Sequence, residues 1–273
     1  MLNFKQLSYN LCKLNEVLYG AITQNMSAKT EQINVLNTTA RLNMPRETAR
    51  FDMPNAIARF NMIEQQIRTW EVLDPTVLQL LNDVPRENFV SEEYLGLAFS
   101  DIEIPFGSNV NAGQTMLSPK LEGRILQALK LQKTHNVLHI GTGSGYFTAL
   151  LASLAKYVVS VEISANLSAQ AAENLAEQNI HNVSLQVADA MSGLATDKQY
   201  DIIVYTGSSP VEPAGVRQQL AIGGAMFIVL GQAPAMRATL IQRVSATGFK
   251  HDVLFETCIP ELMNAPQINQ FEF

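Results

Sequence analysis

An α/β fold built on a doubly wound, mostly parallel sheet is predicted for this 273-residue chain by three observations. From residue 136 onward, short β-rich runs alternate with helical runs. The apolar run 137–140 leads straight into a glycine-rich turn, Gly141-Thr142-Gly143-Ser144-Gly145. The composition, 47% hydrophobic and 16% charged, suffices to bury one full core with an appendage.

Residues 1–55 are polar and Asn/Thr-rich and carry a short repeat. Arg41-Leu42-Asn43-Met44, Arg50-Phe51-Asp52-Met53 and Arg59-Phe60-Asn61-Met62 recur every nine residues, a period too short for a solenoid unit. Pro45 and Pro54 follow two of the copies and discourage one continuous helix. The segment reads as a loosely ordered or partly helical extension, with Met53 as a candidate natural start. Residues 56–273 form the main domain: an N-terminal helical cap over 56–100, a substrate-side segment over 101–135 and the sheet over 136–273. In the cap, apolar positions recur at helical spacing over 57–70 and 75–81, and Asp74-Pro75 makes a good helix start. Beyond it, strands are expected over 137–140, 158–163, 183–188, 202–205 and 225–230, with helices over 147–155, 165–177 and 211–220. Such alternation implies right-handed crossovers and a sheet covered on both faces. Two further runs, 239–244 and 252–258, extend it.

A strand, a glycine turn and a helix, followed by Glu162 at the end of the next apolar run, make a nucleotide-cofactor site. The glycines let backbone approach a ligand, and an acid about 20 positions on can accept both ribose hydroxyls. The dinucleotide fingerprint G-x-G-x-x-G wants a glycine where this chain has Tyr146, and here the third glycine comes one residue early, at Gly145. That spacing argues against NAD or FAD and fits the S-adenosylmethionine (SAM) turn of Rossmann-like methyltransferases. Ligands of open α/β sheets sit beyond the carboxyl ends of the strands, so Glu162, Asp189 and Thr206 should share one rim with the turn.

Other function classes are disfavoured. The net charge is −6 with no dense Lys/Arg block, which gives no electrostatic footprint for nucleic acid. No apolar stretch approaches the roughly 18 residues of a membrane span. Asn3, Lys5, Gln6 and Asn10 interrupt any signal-peptide core, so a cytoplasmic location is expected. Cys12 and Cys258 lie too far apart to suggest a disulfide framework or a metal cluster and read as two buried thiols.

Over residues 63–273 the chain resembles the protein-L-isoaspartate (D-aspartate) O-methyltransferase family. The carrying segments are Asp74-Pro75, Val84-Pro85-Arg86-Glu87-Asn88-Phe89-Val90, Ile104-Pro105-Phe106-Gly107, Gly113-Gln114-Thr115, the glycine turn, and Leu220-Ala221-Ile222-Gly223-Gly224. The resemblance implies a SAM-dependent carboxyl methyltransferase that repairs proteins bearing L-isoaspartyl or D-aspartyl residues. Carried over, Gly141, Thr142, Gly143, Ser144 and Gly145 line the methionine part of SAM and Glu162 its ribose, while Asp189 reaches the adenine amino group or else caps a turn. Gln114, Thr115, Met116, Tyr146, Ile163, Ala190 and Thr206 complete the cofactor-binding set, and no metal is implied. Asp201, away from the rim, is read as structural.

The family segment usually reads G-Q-T-I-S, its serine facing the acceptor carboxylate, whereas this chain reads Gly113-Gln114-Thr115-Met116-Leu117-Ser118. Leu117 therefore holds the serine position, and a one-residue displacement on an extended segment turns a side chain to the other face. Thr115 and Ser118 are the candidate substrate-side catalytic hydroxyls, Thr115 the better aimed. His139 stands where an acidic residue is common and is read as a satisfied core residue. The loop 108–112 is longer than the usual connection. Because a carboxylate nucleophile is already ionised near neutral pH, methyl transfer to it needs alignment and water exclusion, not a general base. Two alternatives stay open: a methyltransferase of the same fold with another acceptor, and a non-catalytic SAM-binding module.

Overall fold

The structure, a computed structural model, describes residues 48–106, 114–194, 198–213 and 215–267. The chain divides into two units, Met1–Ile57 and Ala58–Phe273. Helix α1 (Thr48–Asn61) is followed by a wider π-helical turn, Met62–Ile67, and a 3-10 turn, Arg68–Trp70. The helical reading of 57–70 holds, but helix also runs through Pro54, against the expectation of a break there. The missing proline amide forfeits only the bond to the carbonyl of residue 50, near the N-terminal end of α1. The first repeat copy and Pro45 lie outside the described residues.

Asp74 caps α2 (Pro75–Asp83), its Oδ1 accepting the Thr76 amide at 2.8 Å, with proline at the first helical position. Strands β1 (Ile104–Pro105) and β2 (Thr115–Met116) pair antiparallel. Helix α3 (Pro119–Leu129), absent from the sequence reading, buries Leu121, Ile125, Leu126 and Leu129 at helical spacing.

The seven-stranded sheet contains β3 (Asn136–Ile140), β4 (Tyr157–Glu162), β5 (Val183–Val187), β6 (Tyr200–Ser209), β7 (Leu220–Gln232), β8 (Ala235–Arg243) and β9 (Phe249–Thr257), ordered β5-β4-β3-β6-β7-β8-β9. Pairings from β5 through β7 are parallel, and β8 and β9 add antiparallel. Helices α4 (Tyr146–Leu154) and α5 (Ala165–Glu177) supply the first two crossovers. Strand order reverses between β3 and β6, so the glycine turn after β3 opens at the topological switch point. Buried residues of both faces, among them Leu150 and Phe227 on one and Ile203 and Tyr205 on the other, make the core.

The helix expected over 211–220 does not form. Only a 3-10 turn, Val216–Gln219, stands there, because Pro210, Pro213 and Gly215 punctuate the segment. The Leu220-Ala221-Ile222-Gly223-Gly224 stretch belongs to β7, where Gly223 takes φ +87 and a Cβ on Gly224 would lie 2.6 Å from the Asp201 carbonyl oxygen. Asp201 is structural: its Oδ2 accepts the Asn136 amide at 2.8 Å and ties the starts of β6 and β3 together. Cys258 is exposed, not buried, because it lies just past the edge strand β9; Cys12 lies outside the described residues. No described helix is long and apolar enough to cross a membrane, and no described cluster of His, Cys, Asp or Glu is placed to hold a metal ion.

Candidate functional site

The glycine turn is held open by its own backbone. Gly141, Gly143 and Gly145 have φ of +96, +55 and +88, a region that side chains rarely adopt. Space adds a second constraint, since a Cβ on Gly141 would lie 2.7 Å from Thr206 Oγ1 and one on Gly143 2.4 Å from the Phe106 ring. Gly145 serves a different purpose: it does not line the cavity, and a Cβ there would press on Ala171 of α5 at 3.2 Å. Close α4–α5 packing thus gives Gly145 a constraint apart from the cleft.

Glu162, at the carboxyl end of β4, is 6% exposed. Its Oε2 accepts the Gly143 amide at 3.0 Å and its Oε1 the Ser164 amide at 3.1 Å, which fixes the carboxylate against the turn. Asp189 accepts the Met191 amide at 2.9 Å, the Ser192 hydroxyl at 2.6 Å and the Asn264 side-chain amide at 2.9 Å. These bonds, the Ser192 hydroxyl foremost, hold its carboxyl below the usual carboxylate range. Asp189 thus caps a turn while its residue lines the cavity.

Beneath the turn, His139 is completely buried. Its Nδ1 meets Thr148 Oγ1 at 2.9 Å and Ser160 Oγ at 3.1 Å, and its Nε2 meets Thr206 Oγ1 at 3.2 Å. Thr206 donates its one hydroxyl proton to the Gly141 carbonyl at 2.7 Å, so the Nε2–H of the imidazole must donate to Thr206 and Nδ1 accept. Burial pushes the imidazole pKa down to about 3, and the ring is a neutral core group.

One cleft joins these groups. Its empty space, open mouth included, is about 950 Å3. Gln114, Thr115, Met116, Gly141, Thr142, Gly143, Ser144, Tyr146, Glu162, Ile163, Asp189, Ala190 and Thr206 all line it. Leu117 lines it too, but Ser118 does not. Ser118 takes the N-cap position of α3 and faces a second recess with Trp70 and Phe255. Thr115 donates its hydroxyl to Glu103 Oε2 at 3.1 Å, and burial raises the Glu103 pKa. The loop 108–112 lies outside the described residues.

Sequence reasoning passed over three contributors. Phe106 covers Gly143. Leu262 packs on Gly207 in a strap, residues 259–262, that runs beside β6: the Ser208 amide donates to the Pro260 carbonyl and the Leu262 amide to the Ser208 carbonyl, each at 2.9 Å. The third is a buried ion pair. Arg86 Nη1 donates to Glu122 Oε2 and Arg86 Nη2 to the Leu117 carbonyl at 2.7 Å, with the guanidinium 5.0 Å from the Tyr146 ring centre. A signal existed: Glu122 is a lone carboxylate on the apolar stripe of α3, spaced four and seven residues from Leu126 and Leu129.

Comparison with known proteins places these features. Residues 58–258 match the family described as protein-L-isoaspartate(D-aspartate) O-methyltransferase. A protein-L-isoaspartate O-methyltransferase of Magnetococcus marinus is 38% identical, over 68% of this chain and 79% of its own. One of Rhodopseudomonas palustris is 35% identical, over 75% of this chain and 92% of its own. A solved structure of a protein-L-isoaspartate O-methyltransferase superposes with a TM-score of 0.66 at 24% identity over 75% of this chain, which spans 65% of that protein's length. A Plasmodium falciparum structure in complex with S-adenosyl-L-homocysteine gives 0.63 at 19% identity, covering 74% of this chain and 96% of that one.

Proposed function

This chain belongs to the protein-L-isoaspartate(D-aspartate) O-methyltransferase family, and from that premise we propose that it methylates, with SAM, the free carboxylate of L-isoaspartyl and D-aspartyl residues in damaged proteins. The observation that carries the proposal is the cleft at the switch point, where a glycine turn and the amide-anchored Glu162 meet the Gln114-Thr115-Met116-Leu117 segment.

The residues fit the cofactor, because the glycine turn, the amide-anchored Glu162 carboxylate and Asp189 line one cleft. Gly141, Thr142, Gly143 and Ser144 would hold its methionine part, Glu162 its ribose hydroxyls, and Asp189 with Ala190 its adenine. When bound, SAM would supply an electrophilic methyl group for the acceptor oxygen. The protein's task is then alignment and exclusion of water. Leu262, Met263 and Phe106 wall the cleft, and the Arg86 bond to the Leu117 carbonyl fixes the acceptor-side segment. Neither His139, held neutral in the core, nor Ser118, facing away, acts on the acceptor. The substrate is a protein or peptide, and neither nucleic acid nor membrane enters the proposal.

The test offers methyl-labelled SAM with an isoaspartyl peptide beside its aspartyl twin. Label should pass to the first alone. Equal labelling, or none with SAM bound, overturns the assignment. Leu117 in the serine position favours a second reading, a different and less polar acceptor for the same methyl group.

A further inference from the structure

The acceptor end of the cleft lacks the serine hydroxyl expected from the family's usual segment, yet it is not apolar throughout. Glu122, 1% exposed, lines the cleft together with Leu117 and Tyr146. Its Oε2 is taken by Arg86 Nη1, whereas Oε1 accepts no hydrogen bond among the described residues. Among the described residues the buried Arg86 Nε–H has no hydrogen-bond partner, and the buried Tyr146 hydroxyl has none beyond its approach to Arg86. An ion pair evolved only for packing would satisfy its remaining atoms with neighbours, since unpaired buried polar atoms are costly. Here Glu122 and Tyr146 line one end of a cleft that must receive a carboxylate, and Arg86 backs them from behind.

We propose that Glu122 receives the acceptor carboxylate in place of the serine hydroxyl, taking up one proton as the acceptor binds and donating it in a hydrogen bond from Oε1. This rests on the isoaspartyl reading above. The charge argument is local. Glu122 and Arg86 together are neutral, and bringing in a second carboxylate would leave two anions against one cation in a buried site. Protonating Glu122 restores neutrality and converts an acceptor into the missing donor. The groups facing it from other elements are Arg86, Tyr146 and Asp101, the last paired with Lys120; only Arg86 favours the charged form strongly. Burial already raises the Glu122 pKa to about 7 despite Arg86, so the proton is available at modest cost. Glu122 keeps that proton through methyl transfer and returns it to solvent when the neutral ester leaves.

Calorimetric titration of an isoaspartyl peptide into the protein loaded with S-adenosyl-L-homocysteine, in two buffers of different ionisation heat, reads the proton directly. At pH 8 the wild type should take up nearly one proton per peptide. Its affinity should fall about tenfold per pH unit above pH 7. Glu122→Gln, which keeps a donor but cannot titrate, should bind with no uptake and a flat pH profile. Peptide binding by wild type without proton uptake overturns the inference even if Glu122→Gln fails to fold, and so does an unchanged uptake in a folded Glu122→Gln. Wild type that neither binds nor methylates the peptide, while binding SAM, overturns the acceptor assignment itself and this inference with it.

Discussion

Removing the Glu162 carboxylate strands two backbone amides, Gly143 and Ser164, and on the proposed assignment would deprive the ribose of its acceptor. A charged hydrogen bond of this kind is worth about 1 to 3 kcal/mol, so Glu162→Ala should weaken SAM and S-adenosylhomocysteine binding by about 5-fold to 150-fold. Calorimetric titration of the folded variant checks this, and unchanged affinity would contradict the assignment. His139→Ala should cost less affinity, because His139 reaches the turn only through Thr206. The rim residues Glu162, Asp189 and Thr206 were legible because β spacing and the switch-point rule determine where strand ends lie. The turn-capping alternative for Asp189 is equally visible in its bonds to Met191 and Ser192. Glu122 carried a signal, a lone carboxylate on an apolar stripe, but the helix that aims it was unread and its partner Arg86 lies 36 positions earlier.

Among the elements, the α4–α5 pair rests on Gly145. An alanine there would adopt φ near +88 and press its Cβ against Ala171, a left-handed conformation that costs about 1 to 2 kcal/mol for a non-glycine residue. Gly145→Ala should therefore lower the denaturant midpoint while sparing SAM affinity more than Gly143→Ala does. A variant with an unchanged midpoint but lost affinity would return Gly145 to the ligand. Apolar periodicity located β3, β4, β5, α4 and α5 to within a residue or two. It failed over 211–220, where apolar spacing was helical but Pro213 and Gly215 decided the backbone. It also missed α3, whose apolar stripe is interrupted by Glu122 and Gly123.

For the molecule as a whole, His139 couples β3 to β4, β6 and α4 through Ser160, Thr206 and Thr148. Its pKa is depressed from 6.5 to about 3 on folding, so the unfolded chain binds a proton that the native state refuses. Stability is therefore full above pH 6.5 and is lost as pH falls towards 3. Acid unfolding should accordingly be steeper in wild type than in His139→Gln, as measured by denaturant titrations across that range. Parallel limbs would show that another group governs the acid response. The strap over 259–262 gives the whole chain a temporal order as well. Sheet strands β3 to β9 precede it, and Leu262 and Met263 enter the cleft only after them. On a ribosome, where chains emerge N-terminus first, the nascent polypeptide acquires its sheet scaffold before the strap that walls the cleft.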